Sequence, residues 1–402
     1  MRRMNQPRPT DLPDDLDVWV MAGQSNMEGC GSLAESLQPD PRVWCFTTRH
    51  EWRMAKDPLH DLLGSRAPVD RALRLAATPP AEQQPEKKFH DYWHRRNQGK
   101  GAGLGIAFGS AFSAVSGRPV GLVACAHGGT TLDQWSHRKK HRGLDSLYGA
   151  MLARIRQAGG NLRGLLWYQG ESEAMTDSAA TYRRRFVAWV RALRKDLNRP
   201  DLPVVTVQLG GVAVPESNAA SWANMRQVQL EMPRFIDHLG VVTAIDLDLE
   251  DAIHLDAPGL IRLGRRMARV ALRLSGVDRQ IPAGPRFASL SAGGEQEGLG
   301  EVEINFTGVA GSLLPCRGIK GFSILRADLK PHPTIAVCRA RRHPRKKNAV
   351  IVKTTRPPAP GNVMAYGHGL MPIGNLVDEA DMAVPAFGAK IRSGDVARRK
   401  RP

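Results

Sequence analysis

Short apolar runs recur along the first 250 residues. Each is apolar at consecutive positions and gives way to glycine or polar residues, as a buried strand does before a turn. The five runs cover 17–22, 119–126, 162–168, 202–209 and 238–246. Because apolar and polar positions do not alternate within them, we expect strands that are covered on both faces, as in a parallel sheet.

Between these runs, apolar residues recur every three or four positions, which predicts amphipathic helices. The helical segments cover 146–158, 178–197, 217–232 and 256–275, and Pro258 suits the first turn of the last one. Strands alternating with helices at this spacing predict a doubly wound, mostly parallel, five-stranded α/β sheet. Ligands of such sheets bind beyond the carboxyl ends of the strands.

Two regions break this pattern. Residues 28–108 carry many prolines and charges with little periodicity, so we expect a long insertion over the site, part-disordered near 78–90. After residue 280 apolar and polar positions alternate, which predicts strands at 301–306, 321–327, 334–340, 349–355 and 362–367. The predicted organisation is a tail (1–16), an α/β domain (17–280), a smaller β-rich C-terminal domain (281–390) and a basic tail (391–402).

Composition places the chain among folded globular proteins: 402 residues with 42% hydrophobic and 24% charged positions. No apolar run approaches the roughly 18 residues that cross a bilayer, so no membrane span is expected. The first 17 residues hold no apolar stretch of the kind found in secretory leaders, which predicts a cytoplasmic location. The five scattered cysteines predict reduced thiols, and we expect no metal.

The net charge of +18 raises the question of a polyanionic partner. Dense basic clusters lie at 339–347 and 396–401, and such clusters bind polyanions by releasing counterions. Neither is interleaved with aromatic residues or set in a recognisable nucleic-acid-binding motif. A solvated surface is therefore favoured over a polyanion contact, and no nucleic acid is required.

A candidate nucleophile and its partners follow the first and last predicted strands. Ser25 comes directly after the first strand, where a serine on a sharp turn stands clear of a sheet. Asp251 and His254 precede the last helix. An imidazole held by a carboxylate can take the proton of a serine hydroxyl and return it to the leaving alcohol. Each motif alone also fits helix capping, but both fall at the same sheet edge.

Four blocks in this order resemble the SGNH-hydrolase carbohydrate acetylesterases, a group that includes sialate O-acetylesterases and acetylxylan esterases. The blocks are AGQSNM (22–27), GGTTLDQW (128–135), LLWYQGES (165–172) and DAIHLD (251–256). The resemblance implies a flavodoxin-like sheet and a cofactor-free esterase that removes acetyl groups from carbohydrate hydroxyls through an acyl-enzyme. An acetylated carbohydrate is the implied partner.

The resemblance also implies roles for individual residues. Ser25 is the implied nucleophile, His254 the base and acid, and Asp251 the residue that orients His254. The implied oxyanion hole combines the Ser25 N–H, the Gln169 side-chain amide and a glycine N–H, for which Gly103 is preferred over Gly101 and Gly105. The implied substrate pocket consists of Gln24, Asn26, Gly128, Gly129, Thr130, Trp135 and Glu171.

Several alternatives stay open at this point. Trp135 and Trp52 either stack on a sugar face or pack in the core. The basic loop 137–142 either favours an acidic sugar or is simply solvated. The whole chain is either an esterase, a non-catalytic glycan-binding protein on an esterase scaffold, or, least favoured, a nucleic-acid binder. The sequence does not predict the oligomeric state.

Overall fold

The computed structural model describes residues 9–176, 178–293 and 298–395 of the chain. The basic cluster at 396–401 therefore lies outside the described residues. The strands up to residue 280 are β1 (Asp17–Gly23), β2 (Gly31–Ser32), β3 (Val43–Phe46), β4 (Trp52–Met54), β5 (Lys100–Ala102), β6 (Val120–Ala124), β7 (Asn161–Tyr168), β8 (Val204–Gln208) and β9 (Leu239–Thr243).

The helices are α1 (Ser25–Glu28), α2 (Pro68–Ala76), α3 (Pro80–Gln83), α4 (Glu86–Arg96), α5 (Gly105–Ser116), α6 (Leu147–Ala158), α7 (Glu171–Met175), α8 (Ala179–Asp196), α9 (Ala219–Glu231) and α10 (Ala257–Leu274). Short 3-10 helices cover Leu33–Glu35, His137–Asp145, Met232–Arg234 and Ser393–Asp395. All four predicted helical segments are present, as α6, α8, α9 and α10.

The main sheet has the strand order β4-β3-β6-β1-β7-β8-β9. All neighbouring strands are parallel except the antiparallel pair β3–β4. The five predicted strands are β1, β6, β7, β8 and β9, and among themselves they follow the order 2-1-3-4-5 of a doubly wound sheet. The prediction of five strands in total is wrong, because the insertion adds β3 and β4 at one edge.

Large aromatic side chains hold the helical layers to both faces of this sheet. On one face Trp19 of β1 contacts Phe108 and Phe112 of α5 at ring distances of 5.3 Å. On the opposite face Trp167 of β7 contacts Phe186 and Trp189 of α8 at 5.5 and 4.6 Å. Burial on both faces explains why these strands read as uninterrupted apolar runs in the sequence.

The insertion is ordered, so the prediction of partial disorder near 78–90 is wrong. That stretch contributes α3 and the first half of α4. A buried ion pair holds α2 to α6, with Arg154 Nη2 2.6 Å from Asp70 Oδ2. Two apolar residues of α4 are buried, Phe89 and Trp93. In the sequence they are too few to reveal the helix among the surrounding charged residues.

The C-terminal part is β-rich, as predicted. Its strands are β10 (Arg286–Ala292), β11 (Gly300–Thr307), β12 (Leu313–Leu314), β13 (Phe322–Leu325), β14 (Val337–Arg342), β15 (Ala349–Thr354), β16 (Val363–Tyr366), β17 (Val377–Asp378) and β18 (Phe387–Lys390). They form antiparallel sheets ordered β10-β11-β15-β14, β13-β16-β18 and β12-β17. Five of these strands were predicted; β10, β12, β17 and β18 were not. The exact domain boundaries stay a prediction.

Candidate active site

The turn after β1 brings the candidate nucleophile to the carboxyl edge of the sheet. Gly23 ends β1 with φ 136°, and a Cβ there would lie 2.1 Å from the Tyr168 carbonyl oxygen. Only glycine fits, since the backbone of β7 passes this close. Ser25 then begins α1, and its hydroxyl oxygen lies 2.9 Å from His254 Nε2.

The loop between β9 and α10 presents His254 and Asp251 together. His254 Nδ1 lies 2.8 Å from Asp251 Oδ2. Because an ionised carboxylate can only accept, Nδ1 carries the proton and Nε2 is left to accept from the Ser25 hydroxyl. The structure therefore joins the three predicted residues into one hydrogen-bonded chain, although Ser25 and His254 are 229 positions apart in the sequence.

Asp251 is held in its ionised form. Burial alone would raise its pKa, but hydrogen bonds from the His254 ring and from the His254 and Ile253 amides lower the pKa of Asp251 to about 2. Lys100 of the insertion adds a cation 3.6 Å from Asp251 Oδ2. The carboxylate is thus available to orient the imidazole and to stabilise its protonated form.

A cleft of about 1030 Å³ opens over Ser25 and His254. Four residues of the predicted pocket line it, namely Gln24, Gly128, Gly129 and Glu171. Most of the remaining lining comes from residues 28–101 of the insertion, including Arg74, Trp93 and Lys100. The prediction that the insertion lies over the site is confirmed.

Other predicted site residues do not line the cleft. Trp135 is fully buried and donates from Nε1 to Thr130 Oγ1 at 3.0 Å, while the Thr130 hydroxyl donates to the His127 carbonyl. Trp52 donates to the Ala158 carbonyl at 3.2 Å and packs at the edge of the sheet. The stacking alternative is therefore wrong for both tryptophans. Asn26 is also buried and contacts the catalytic loop from beneath.

The side chain of Gln169 faces away from the cleft, so its predicted role as an oxyanion donor is wrong. Its Nε2 donates to the Thr130 carbonyl at 3.2 Å and to the Glu173 carboxylate, and no part of the residue is exposed. With both amide protons engaged beneath the surface, no donor remains for a substrate. Gln169 instead ties the ends of β6 and β7 together.

The predicted glycine donor also needs correction. The Gly103 N–H donates to Asp57 Oδ2 at 3.3 Å, and Gly103 and Gly105 do not line the cleft, whereas Gly101 does. Gly128 lies against Ser25, and its neighbour Gly129 also lines the cleft. A Cβ on Gly128 would lie 3.4 Å from Ser25 Cβ, and its N–H donates to Glu28 Oε2 at 2.7 Å. The Gly129 N–H has no hydrogen-bond acceptor within the described part of the chain.

Sequence reasoning missed the charged wall that the insertion contributes. Arg74 Nη2 lies 2.5 Å from Glu28 Oε1, and its guanidinium lies 4.1 Å from the ring centre of Trp93. The other oxygen of Glu28 holds Gly128, so this wall is connected to the nucleophile turn. The only signal in the sequence is the four-residue spacing of Asp70 and Arg74 in one helix and of Phe89 and Trp93 in the next.

The basic loop 137–142 does not line the cleft. Lys140 pairs with Asp196 at 2.7 Å, and Lys139 donates to the Asp133 carbonyl. The solvated interpretation of this loop is therefore the better one. The cations that do face the cleft are Arg74, Arg96 and Lys100.

Two features are absent from residues 9–176, 178–293 and 298–395. They contain no group of three or more histidine, cysteine, aspartate or glutamate side chains arranged to hold a metal ion. No helix formed by them is long and apolar enough to span a bilayer.

Known proteins resemble the chain over most of its length. Residues 15–273 match the family model described as carbohydrate esterase, sialic acid-specific acetylesterase. A probable carbohydrate esterase of Arabidopsis thaliana is 30% identical over 265 residues, covering 63% of this chain and 90% of that protein. A carbohydrate acetylesterase from Xanthomonas citri has a similar fold, with a TM-score of 0.65 at 23% identity over 93% of this chain and 80% of that chain. The crystal structure of NanS matches with a TM-score of 0.45 at 16% identity, covering 66% of this chain and 99% of that one.

Proposed function

Since the chain belongs to the sialic acid-specific acetylesterase family of carbohydrate esterases, which are carboxylic ester hydrolases, we propose that it is an SGNH-type serine esterase that removes O-acetyl groups from carbohydrates. The observation that carries the mechanism is the hydrogen-bonded chain Ser25–His254–Asp251 at the floor of the cleft. A hydroxyl, an imidazole and a carboxylate in this order activate a serine for acyl transfer.

The reaction follows from these positions. Ser25 Oγ attacks the acetyl carbonyl carbon while its proton passes to His254 Nε2, and the carbonyl electrons move onto oxygen. The tetrahedral intermediate then collapses: the bond to the sugar oxygen breaks, and His254 returns the proton to that oxygen. A water molecule attacks the acetyl group on Ser25 in the same way, which releases acetate and restores the hydroxyl.

The developing oxyanion needs donors that point at one spot beside Ser25. We assign the N–H groups of Ser25 and Gly129 to this role, in place of the Gly103 and Gln169 donors expected from the sequence. The free N–H of Gly129, its place on the cleft lining and its neighbour Gly128 against Ser25 support the assignment. Removing one such donor in other hydrolases costs about 3–4 kcal/mol.

The alternative is a glycan-binding protein without catalysis. The intact Ser25–His254–Asp251 chain argues against it, because a binding protein has no need of a base at 2.9 Å from a hydroxyl. Arg74 and Lys100 on the cleft wall are paired with Glu28 and Asp251, so their charge does not by itself select an acidic sugar.

Acetate release from a panel of acetylated substrates tests the proposal. The panel contains acetylated sialic acids, acetylated xylan, acetylated uronic acids and an aryl acetate, each with the wild-type protein and Ser25→Ala. We expect release by the wild type from at least one acetylated sugar and its loss in the variant. Binding to the same sugars without acetate release from any of them would favour the glycan-binding alternative.

A further inference from the structure

Asn26 is the side chain that connects the nucleophile turn to the backbone of the catalytic loop. It directly follows Ser25 and is 1% exposed. Its Oδ1 accepts from the Leu255 N–H at 2.9 Å, and its Nδ2 donates to the Ile253 carbonyl at 3.4 Å. These two contacts lie on either side of His254 in the sequence, so one amide holds both flanks of the catalytic histidine.

Glu171 determines which way this amide faces. Its Oε1 accepts from Asn26 Nδ2 at 2.9 Å, and the residue is 2% exposed. A carboxylate accepts and a backbone N–H donates, so the two partners require the same orientation, with nitrogen toward Glu171 and oxygen toward Leu255. An amide with fixed partners on both sides has little freedom to rotate or shift.

The rest of the catalytic loop is held from other directions. Asp251 Oδ1 accepts from amides within the loop, and the Ala213 N–H donates to the Ala252 carbonyl. Neither contact reaches the turn that carries Ser25. The separation between the Ser25 hydroxyl and His254 Nε2 therefore depends on Asn26 more than on any other described side chain outside the triad.

We propose that Asn26 and Glu171 form a positioning pair that sets the distance from the nucleophile to the base. The inference rests on the proposed function, because it concerns the same Ser25–His254 contact. Neither side chain needs to touch the reacting atoms. Loss of Asn26 releases both flanks of His254 at once, and misplacement of a catalytic group by about 1 Å lowers rates by about 100-fold.

The first test compares Asn26→Ala with Asn218→Ala, a matched control. Asn218 Oδ1 also accepts from two backbone N–H groups, at the start of α9. We expect Asn26→Ala to lower kcat about 10- to 100-fold with KM nearly unchanged. Asn218→Ala should lower the melting temperature without lowering kcat. A wild-type kcat for Asn26→Ala would overturn the proposal.

The second test exchanges the hydrogen-bond donor and acceptor between positions 26 and 171. It also tests the positioning role if Asn26→Ala does not fold. Assayed at pH 8, above the raised pKa of Glu171, Asn26→Asp places two carboxylates in contact, and we expect it to lose most of its kcat. Adding Glu171→Gln lets the new amide at 171 donate to the carboxylate at 26, which can still accept from Leu255. The double variant should regain at least about 10-fold in kcat over Asn26→Asp. No recovery would contradict the proposal.

Ser25→Ala distinguishes a failure of the proposed function from a failure of the positioning role. If Ser25→Ala keeps full turnover, the proposed function fails whatever the pair does. If Ser25→Ala is inactive while Asn26→Ala and the polarity exchange leave kcat unchanged, only the positioning role fails.

Discussion

The two walls of the cleft are built in different ways. The floor and one wall consist of loops at the carboxyl ends of β1, β6, β7 and the loop after β9, which carry Ser25, Gly129, Glu171 and His254. The facing wall consists of helices α2 and α4 and strand β5 of the insertion, which carry Arg74, Trp93 and Lys100. In the proposed mechanism the first wall holds the groups that react, whereas the second contributes charged side chains to the cleft lining.

This difference shows how loops placed by the sheet and a wall fastened by side-chain contacts share one cleft. The strand-end loops are attached to a sheet buried on both faces, so their residues are placed by the fold itself. The insertion wall is fastened by individual ion pairs, such as Arg154–Asp70 and Arg74–Glu28. Changes in the two walls should therefore have different consequences, and the following predictions test that separation.

The largest effect is expected in the strand-end loops. Asp251→Asn keeps the shape but removes the acceptor that fixes the His254 tautomer, so kcat should fall by about 100- to 10,000-fold. The free energy of unfolding should also fall, because the hydrogen bonds that lower the pKa of Asp251 to about 2 stabilise the folded state. Asp256→Asn is the matched control: it caps α10, and asparagine caps equally well. A loss of kcat below 10-fold for Asp251→Asn would contradict the expectation that changes in the two walls have different consequences.

A change in the insertion wall should affect stability first. Arg74→Ala leaves Glu28 without its cation at a nearly buried site, where the pair partners are 11% and 12% exposed. Breaking such a pair costs about 3–5 kcal/mol. Chemical denaturation measures the loss of stability. We expect a smaller effect on kcat, because Arg74 is connected to the site only through Glu28, which accepts from the Gly128 N–H.

Arg71→Ala in the same helix provides the comparison. Arg71 pairs with Glu86 at the exposed surface, where the partners are 48% and 55% exposed. Such pairs contribute about 0–1 kcal/mol. Equal losses of stability for Arg71→Ala and Arg74→Ala would show that the insertion wall is not held by its buried pair.

The same difference between the walls explains what the sequence could predict. The five strands of the scaffold, four of its flanking helices and the Ser25, Asp251 and His254 set were predicted, because burial on both faces and strand-end position leave local signals. The helix α5, which also packs on the sheet, was not predicted. The strands β3 and β4 were missed because they lie in a segment whose pattern is obscured by charges. The insertion side chains meet the cleft only through tertiary packing, which leaves no local signal beyond helical spacing.

Gln169 and Gly103 show a second limit of sequence reasoning. Both lie in or near family motifs, and a motif identifies a residue without giving the direction of its side chain or N–H. Gln169 faces Thr130 and Glu173, and Gly103 faces Asp57. Glycines 128 and 129 were expected in the pocket and line the cleft, but the short distance from Gly128 to Ser25 became visible only in the structure.

A further effect is expected in the pH dependence of stability. Burial raises the pKa of Glu171 to about 7, above the value of about 4.3 in an unfolded chain. The folded state keeps a proton there that the unfolded state has lost, so Glu171 contributes stability that is present below pH 4.3 and is lost as the pH rises through 7. Glu171→Gln removes this loss, which amounts to about 3–4 kcal/mol.

Melting curves of both proteins between pH 4.5 and 8 measure this effect. The melting temperature of Glu171→Gln minus that of the wild type should become more positive as the pH rises. Other groups with shifted pKa values, such as Asp57 and His60, are present in both proteins and cancel in the difference. A difference in melting temperature that stays constant from pH 4.5 to 8 would contradict the raised pKa of Glu171.

Direct detection of the acyl-enzyme tests the central claim most closely. The protein is mixed with an aryl acetate, quenched in acid during the first turnovers, digested and analysed by mass spectrometry. The account predicts an acetyl group on the peptide that contains Ser25, and neither label nor turnover in Ser25→Ala. An acetyl group carried by a different residue, or turnover that persists in Ser25→Ala, would contradict it.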